Sequence, residues 1–255
     1  MELIKSAAKR SKVSDIVYVL LNIALAGGIF ALTFAFSPPY LAYLLVLLSK
    51  WRVLAVRPRF WLANIQGNIV DILVGLSTVT LIWRASGALT AQLLIAALYA
   101  AWLLILKPRS KRKDMVVQGE VAQFLSLTAI IGVSYMLDAS IVVVICWLIG
   151  YFVARHVLYS YEEHDVTVLS MVWGLIVAEF AWLASQWTQA YPLASDLLAP
   201  QMAIIISLVG YVVMRAYDYH YHKSFSWKQL RAPILFAIAV ITIMLLWELS
   251  VYFRQ

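Results

Sequence analysis

The chain of 255 residues is 64% hydrophobic and only 13% charged, and it carries a formal net charge of +7. Ordinary soluble domains are roughly half apolar and about a quarter charged. A soluble protein of this length would have more apolar surface than one core can bury, so the composition excludes a water-soluble fold. Short polar loops separate the apolar runs throughout, which predicts a single transmembrane domain over residues 1–255.

Apolar runs that approach the roughly 20 residues needed to cross a bilayer recur along the chain. The predicted spans are 15–36, 39–56, 62–83, 88–106, 116–137, 139–157, 166–187, 200–217 and 231–252. The predicted fold class is therefore an all-α integral membrane protein with about nine transmembrane helices. Small residues at four-residue spacing, such as Cys146 and Gly150, favour a compact bundle.

The second span is the weakest, because its apolar run YLAYLLVLL soon gives way to SKWRVLAVRPRF. A re-entrant or interfacial helix is the alternative for this segment. Nine crossings, however, place all Lys and Arg residues except Arg84 and Arg254 on one side. Positive residues favour the cytoplasmic side, so we expect a cytoplasmic N-terminus and an external C-terminus. Lys50 would then end the second span by snorkelling to the interface.

The basic cytoplasmic face has consequences for partners. It predicts contact with membrane lipids, in particular with anionic lipid of the inner leaflet. Because the topology already explains the positive charge, no nucleic acid partner is predicted.

The third span, LANIQGNIVDILVGLSTVT, carries the most informative polar pattern. Asn64, Asn68, Asp71 and Thr78 recur at spacings that place them on one helical stripe. An ionised carboxylate near the bilayer centre costs several kcal/mol without a partner, so Asp71 must be protonated, paired or facing water. The stripe is either a polar lining for a proton, ion or substrate headgroup, or an interhelical hydrogen-bonded contact.

Two further acidic residues lie inside predicted spans. Glu179, in the seventh span, is the other deep carboxylate, and we add it to the predicted intramembrane polar site. Glu120 lies early in the fifth span, near enough to the cytoplasmic boundary for its carboxylate to stay solvated. It is a weaker, interfacial candidate.

All four histidines fall at the predicted cytoplasmic side, in RHVLYSYEEHD and YDYHYHK. They could contribute to a metal site, but neither segment has the H-E-x-x-H spacing that places two ligands and a base on one helical face. Solvated loops are the simpler interpretation, and no metal or other cofactor is predicted. The weaker interfacial candidates here are His156, Glu163, His164, His220 and His222.

Three segments carry a resemblance to a known group of proteins: SKWRVLAVRPRFWLANIQGNIVDILVG, YAAWLLILKPRSKRK and ARHVLYSYEEHDVTVLSMVWGLIVAE. Together they are similar to an uncharacterised family of multi-span proteins in small-genome bacteria of the candidate phyla radiation, the Saccharibacteria among them. The resemblance covers most of the chain. It implies a multi-pass protein of a bacterial cytoplasmic (inner) membrane, and it transfers no catalytic or binding residue, because the family has no established activity.

Three functions remain open. The first is a transporter or channel in which Asp71, with Asn64, Asn68 and Glu179, lines a path for an ion or small molecule. The second is a non-catalytic structural or assembly subunit of a membrane complex. The third is a lipid-active enzyme at the cytoplasmic interface. The sequence contains no phosphate-binding glycine loop and no G-x-S-x-G elbow, which disfavours an enzyme.

Overall fold

The structure, a computed structural model, describes residues 12–53, 55–186, 189–194 and 196–252. Within these residues the chain forms nine α-helices and one β-hairpin. The helices are α1 (Lys12–Ala35), α2 (Tyr40–Ser49), α3 (Trp61–Arg84), α4 (Leu89–Ala101), α5 (Arg112–Gly132), α6 (Ala139–Tyr159), α7 (Val166–Gln186), α8 (Gln201–Tyr221) and α9 (Trp227–Tyr252). The hairpin pairs β1 (Ala190–Ala194) with β2 (Leu197–Pro200) in antiparallel register. A π-helical turn, Trp102–Leu106, continues α4.

Every helix except α2 is long and apolar enough to cross a membrane, when α4 is counted together with its π-helical turn (Leu89–Leu106), which gives eight such helices in the described part of the chain. Large apolar side chains cover their outer surfaces; Leu62, for example, is 75% exposed. Such a surface suits hydrocarbon rather than water. The chain is therefore a predominantly helical, multi-pass membrane protein, as its composition predicts.

The predicted second span is not one continuous helix. Its α-helical part, α2, has only ten residues, about 15 Å of rise, and Trp51–Val53 follow as a 3₁₀ turn. Ten residues are too few to carry Lys50 to the far interface, so its side chain remains inside the bundle and is only 8% exposed. The predictions of a helix over 39–56 and of a snorkelling Lys50 are both wrong.

Loop contacts define two ends of the bundle. At one end, Arg84 Nη2 donates a hydrogen bond to the backbone oxygen of Asp196, 2.9 Å away, beside the β-hairpin. At the other end, Arg112 Nε donates to the backbone oxygen of Ser160, 3.1 Å away. We call the first the hairpin end, and the second the basic end because Lys and Arg residues between 107 and 113 cluster there. Arg254 lies outside the described residues.

The fifth span begins about one turn earlier than predicted. Helix α5 starts at Arg112 and ends at Gly132, instead of covering 116–137. Arg112 and Lys113 at its start tolerate helical structure in the interface, where they stay solvated, and Asp114 pairs with Arg109. As a result, Glu120 lies two turns inside the helix, about 12 Å from its start.

Helices α6 and α7 pack closely through two glycines. A Cβ atom added to Gly174 would lie 2.9 Å from the backbone oxygen of Trp147. One added to Gly150 would lie 2.9 Å from Cβ of Val177. Backbone and β-carbon atoms cannot move aside as flexible side-chain ends do, so the two helix axes approach closely only because these positions lack side chains.

We predict that Gly174→Val lowers the thermal stability of the detergent-purified protein. Overpacking of this kind typically costs about 1–3 kcal/mol. The control is Gly27→Val in α1, where nothing lies within 4 Å of an added Cβ. Thermal unfolding followed by size-exclusion chromatography measures both variants, and equal losses would contradict a tight contact at Gly174.

Candidate functional site

The centre of the candidate site is the carboxylate of Asp71, ten residues into α3 and so about 15 Å from its start. Two ammonium groups, those of Lys50 and Lys107, pair with the same carboxylate oxygen, Oδ2. The Lys107 Nζ lies 2.7 Å from that oxygen. Trp102 Nε1 donates a hydrogen bond to the other oxygen, Oδ1, at 3.2 Å. We call these four residues the Asp71 cluster.

Helix α2 brings Lys50 to this depth because it packs antiparallel to α3. Three successive contacts set the register. The first is a hydrogen bond between the hydroxyls of Tyr43 and Thr80, 2.9 Å apart; the second is Val46 against Gly75; the third is Lys50 with Asp71. An added Cβ on Gly75 would lie 2.7 Å from Cγ1 of Val46, so this glycine permits the close approach.

The remaining contributors come from the π-helical turn at the end of α4. The backbone N–H of Lys107 donates to the backbone oxygen of Trp102 at 2.9 Å, five residues back. A π-helical turn contains one more residue than an α-helical turn, and such turns are frequent at functional sites. Here it directs both Trp102 and Lys107 towards Asp71.

The cluster holds two positive charges and one negative charge when all three groups are ionised. Its lysines differ in environment, because the side chain of Lys50 is 8% exposed whereas that of Lys107 is 31% exposed. Burial lowers the pKa of Lys107, but the neighbouring carboxylate of Asp71 outweighs it, so the pKa of Lys107 is raised. Lys107 therefore remains protonated beside Asp71 at neutral pH.

A polar cavity of about 230 Å³ extends from Asp71 to the loop after α4 at the basic end. We call it the basic-end cavity. Its walls come from α3, the π-helical turn, the following loop, α5 and α6. Its lining residues are Gly67, Asn68, Val70, Asp71, Trp102, Lys107, Arg109, Ser110, Met115, Gln118 and His156.

Gln118 holds the loop that closes one side of this cavity. Its Nε2 donates to the backbone oxygens of Leu106 and Arg109, at 2.6 and 2.8 Å. Its Oε1 lies 3.2 Å from Nε2 of His156. Because an amide oxygen only accepts, the hydrogen bond assigns the proton to Nε2 of His156.

A second, apolar cavity of about 440 Å³ lies among α3, α4 and α5, and Trp102 is one of its lining residues. Thr78 lines it, although its hydroxyl donates to the backbone oxygen of Val74 at 2.8 Å. Tyr99 also lines it, and its buried hydroxyl has no hydrogen-bond partner among the described residues. The indole of Trp102 thus borders both cavities and is held by Asp71.

The predicted polar stripe on α3 is distributed over these features. Asn68 and Asp71 line the basic-end cavity, and Thr78 lines the apolar one. The Asn68 Nδ2 also donates to the backbone oxygen of Asn64 at 2.9 Å. Asn64 instead donates to the backbone oxygen of Val53, at 3.4 Å, and so fastens the irregular segment after α2.

The two other acidic candidates in the spans lie elsewhere. Glu179 is exposed on α7, and no ion pair or hydrogen bond joins its described side chain to Asp71. The physical reason is that α7 packs mainly on α6 and not on α3. Glu120 is half-buried beside an apolar cleft of about 190 Å³ among α5, α6, α7 and α8, and its interfacial role stays a prediction.

The interfacial candidates separate into one cavity residue and a group at the surface. Only His156 reaches the basic-end cavity. Glu163 accepts hydrogen bonds from the Tyr217 hydroxyl and the backbone N–H of His164, and the first of these lowers the pKa of Glu163 most strongly. His220 and His222 are exposed. The described residues contain no group of three or more potential metal ligands.

Sequence reasoning missed Lys50, Lys107, Trp102 and Gln118. The distance of Lys50 from the start of α2 was the available signal. Ten helical residues rise by only about 15 Å, so Lys50 lies about half-way through a 30 Å hydrocarbon layer. Lys107 immediately follows an apolar run, which normally indicates an interfacial lysine. No local pattern predicts the π-helical turn that directs Lys107 inwards.

We predict an asymmetry among charge-removing variants of the Asp71 cluster. Asp71→Asn leaves the buried ammonium group of Lys50 and the partly exposed one of Lys107 without a counterion, and it should cost about 3–5 kcal/mol. Lys50→Gln and Lys107→Gln should each cost much less, because the other lysine still pairs with the carboxylate. Thermal unfolding in detergent measures the difference.

The control is Glu162→Gln, which removes an exposed carboxylate at the same end of the bundle. It should leave the unfolding temperature nearly unchanged, because exposed charges contribute little to stability. If Lys50→Gln destabilised the protein as much as Asp71→Asn, Lys107 would not share the carboxylate.

Comparison with known proteins adds no family. No family model matches the chain, and no match was found among the curated proteins or the solved structures. The function is therefore inferred from the chemistry of the site.

Proposed function

We propose that this chain is a membrane transporter whose substrate path passes the Asp71 cluster. The observation that carries the proposal is the carboxylate of Asp71, shared by two lysines and by an indole that borders two cavities. Charged groups at membrane depth are costly and characteristically mark ion or substrate pathways. A purely structural contact between helices needs no unequal charge.

The irregular backbone around the cluster supports the same function. Helix α2 ends at Ser49, beside Asp71, and α4 changes to π-helical geometry at Trp102. Non-helical backbone at membrane depth is tolerated where protein buries it or where it lines a cavity. Transporter sites are commonly built at such interrupted helices.

Two cavities that share Trp102 as a lining residue provide the elements of a gated path. The basic-end cavity contains Asp71, and the apolar cavity contains Thr78. Movement of the Trp102 indole away from Asp71 joins the two spaces. In this mechanism Asp71 holds the gate closed through its hydrogen bond to Nε1.

The proposal includes nine crossings, with the basic end in the cytoplasm of a bacterial cell. Helix α2 follows α3 from Thr80 to Asp71, and the irregular segment continues along α3 to Asn64, where Val53 accepts its hydrogen bond. Helix α2 and this segment together lie along most of the length of α3, which is a spanning helix. Lys and Arg residues at the basic end favour the cytoplasmic side.

The gate predicts a distinct pattern of thiol labelling in a Cys146→Ala background, with Gly67→Cys in the basic-end cavity and Thr78→Cys in the apolar one. An added Cβ at Gly67 meets nothing within 4 Å, so this cysteine fits without strain. A polar thiol reagent supplied from the basic end should label Gly67→Cys rapidly and Thr78→Cys slowly. Adding Trp102→Ala should accelerate labelling of Thr78→Cys.

The control for this experiment is Ser77→Cys, one residue from Thr78 but packed against Ser126, whose hydroxyl is 3.0 Å away. It should stay protected in both backgrounds. If Gly67→Cys were unreactive, or if Trp102→Ala left Thr78→Cys as slow as before, the transport proposal would fail. A static ion cluster in an assembly subunit would then be favoured.

The orientation has its own test. Ser224→Cys reports on the basic end and Thr90→Cys on the hairpin end, and both positions are exposed. With an impermeant reagent in bacterial cells, we expect labelling of Thr90→Cys alone, and labelling of Ser224→Cys only in inverted vesicles. Labelling of both positions from the same side would contradict an arrangement in which each end faces one compartment.

A further inference from the structure

The basic-end cavity has an excess of positive charge. Lys107 and Arg109 line it directly, and Lys50 lies behind Asp71. Asp71 and the Arg109 partner, Asp114, supply two negative charges against these three positive ones. In a partly buried space one uncompensated positive charge is costly, and an anion of matching charge removes that cost.

The two cations on the cavity wall are the available ones. Lys107 is 31% exposed, whereas Lys50 is 8% exposed and directed at Asp71. Arg109 is 53% exposed, and its Nη1 lies 3.7 Å from the Asp114 oxygen, which is longer than a hydrogen bond. Arg109 therefore keeps most of its donors for another acceptor.

Neutral polar groups beside these two cations also suit an anionic ligand. The hydroxyl of Ser110 and the side chain of Asn68 border the cavity. The His156 Nε2, in contrast, already donates to Gln118. A guanidinium and an ammonium next to hydroxyl and amide donors are a suitable set for the oxygens of a carboxylate or a phosphate.

We propose that the basic-end cavity binds a small oxyanion, with the negative group held between Lys107 and Arg109. This inference rests on the proposed transport function, because it names the substrate class of the same cavity. When the oxyanion arrives, Lys107 exchanges the Asp71 oxygen for the ligand, while Lys50 remains with Asp71. Ligand binding thereby removes one of the contacts around the carboxylate that holds Trp102.

The first test measures the local potential with charged thiol reagents on Gly67→Cys in the Cys146→Ala background. The measured ratio is the rate of an anionic thiosulfonate divided by the rate of a cationic one. This ratio should be higher at Gly67→Cys than at Ser224→Cys. Electrostatic focusing in a charged cleft predicts a difference of about tenfold or more. The reference lies at the same basic end, so it corrects for the general positive charge there.

Two variants connect this ratio to the named residues. Arg109→Gln changes an exposed side chain whose only described ion pair is the long one with Asp114, so it should fold normally and lower the ratio several-fold. Lys107→Gln should lower it further. A ratio unchanged by both variants would overturn the assignment to Lys107 and Arg109.

The second test uses acetate and inorganic phosphate as probes. The measured quantity is the rate at which an uncharged maleimide labels Gly67→Cys. Acetate and phosphate are each compared with chloride at equal ionic strength, and a bound anion should slow the labelling. Protection by acetate identifies a carboxylate site, and protection by phosphate identifies a phosphate site. Equal effects of all three salts would indicate only charge screening and would overturn the oxyanion site.

The outcomes separate the two proposals. If Gly67→Cys does not react even with the uncharged maleimide, there is no aqueous cavity and both proposals fail. If it reacts well with the maleimide but prefers the cationic thiosulfonate, transport past Asp71 survives and the oxyanion alone is overturned.

Discussion

The shared carboxylate of Asp71 is the interaction on which this half of the bundle depends. It joins three separate segments: the end of α2 through Lys50, the middle of α3, and the π-helical turn after α4 through Trp102 and Lys107. Helices in a membrane gain little from apolar contact alone, because lipid tails are as apolar as leucine. One buried anion therefore contributes specificity that apolar packing cannot provide.

The same interaction fixes the register of α2 against α3. Lys50 follows the ten residues of α2, which rise by about 15 Å, and this distance brings its ammonium to the depth of Asp71. The described parts of the segment between Lys50 and Phe60 continue towards the basic end and include two 3₁₀ turns. Side chains of α3 supply hydrogen bonds to backbone groups of that segment; Asn64, for example, donates to the backbone oxygen of Val53.

Hydropathy predicted the long helices well because a run of about 20 apolar residues has few other stable states in a bilayer. It predicted neither the end of α2 nor the β-hairpin, since short segments depend on contacts far away in sequence. Asp71 and Asn68 were identifiable because polar residues within an apolar run are conspicuous. Their partners Lys50 and Lys107 were not, because a lysine beside an apolar run usually reaches the interface.

Hydropathy also did not predict which face of each helix packs against its neighbours. Helix α7 is largely apolar on every face, so hydropathy alone does not distinguish the surface that carries Glu179 from the buried one, although the small residues Ser170, Gly174 and Ala181 lie on the buried surface. A polar stripe such as that of α3 is informative about depth and spacing, but the neighbours of the stripe follow from helix order in the bundle. His156 illustrates this, because α6 brings it to the cavity of Asp71 from 85 residues further along the chain.

The π-helical turn at Trp102–Leu106 has a mechanical consequence. It stores one extra residue, and an α-helix advances by about 100° of rotation per residue. Because the turn lies at the end of α4, its conversion to α-helical hydrogen bonding would rotate Lys107 and the loop after it relative to the rest of α4 by about that angle. In the proposed transport path, such a rotation would move Lys107 relative to Trp102 and change the contacts around Asp71. The turn thus gives the end of α4 a rotational degree of freedom.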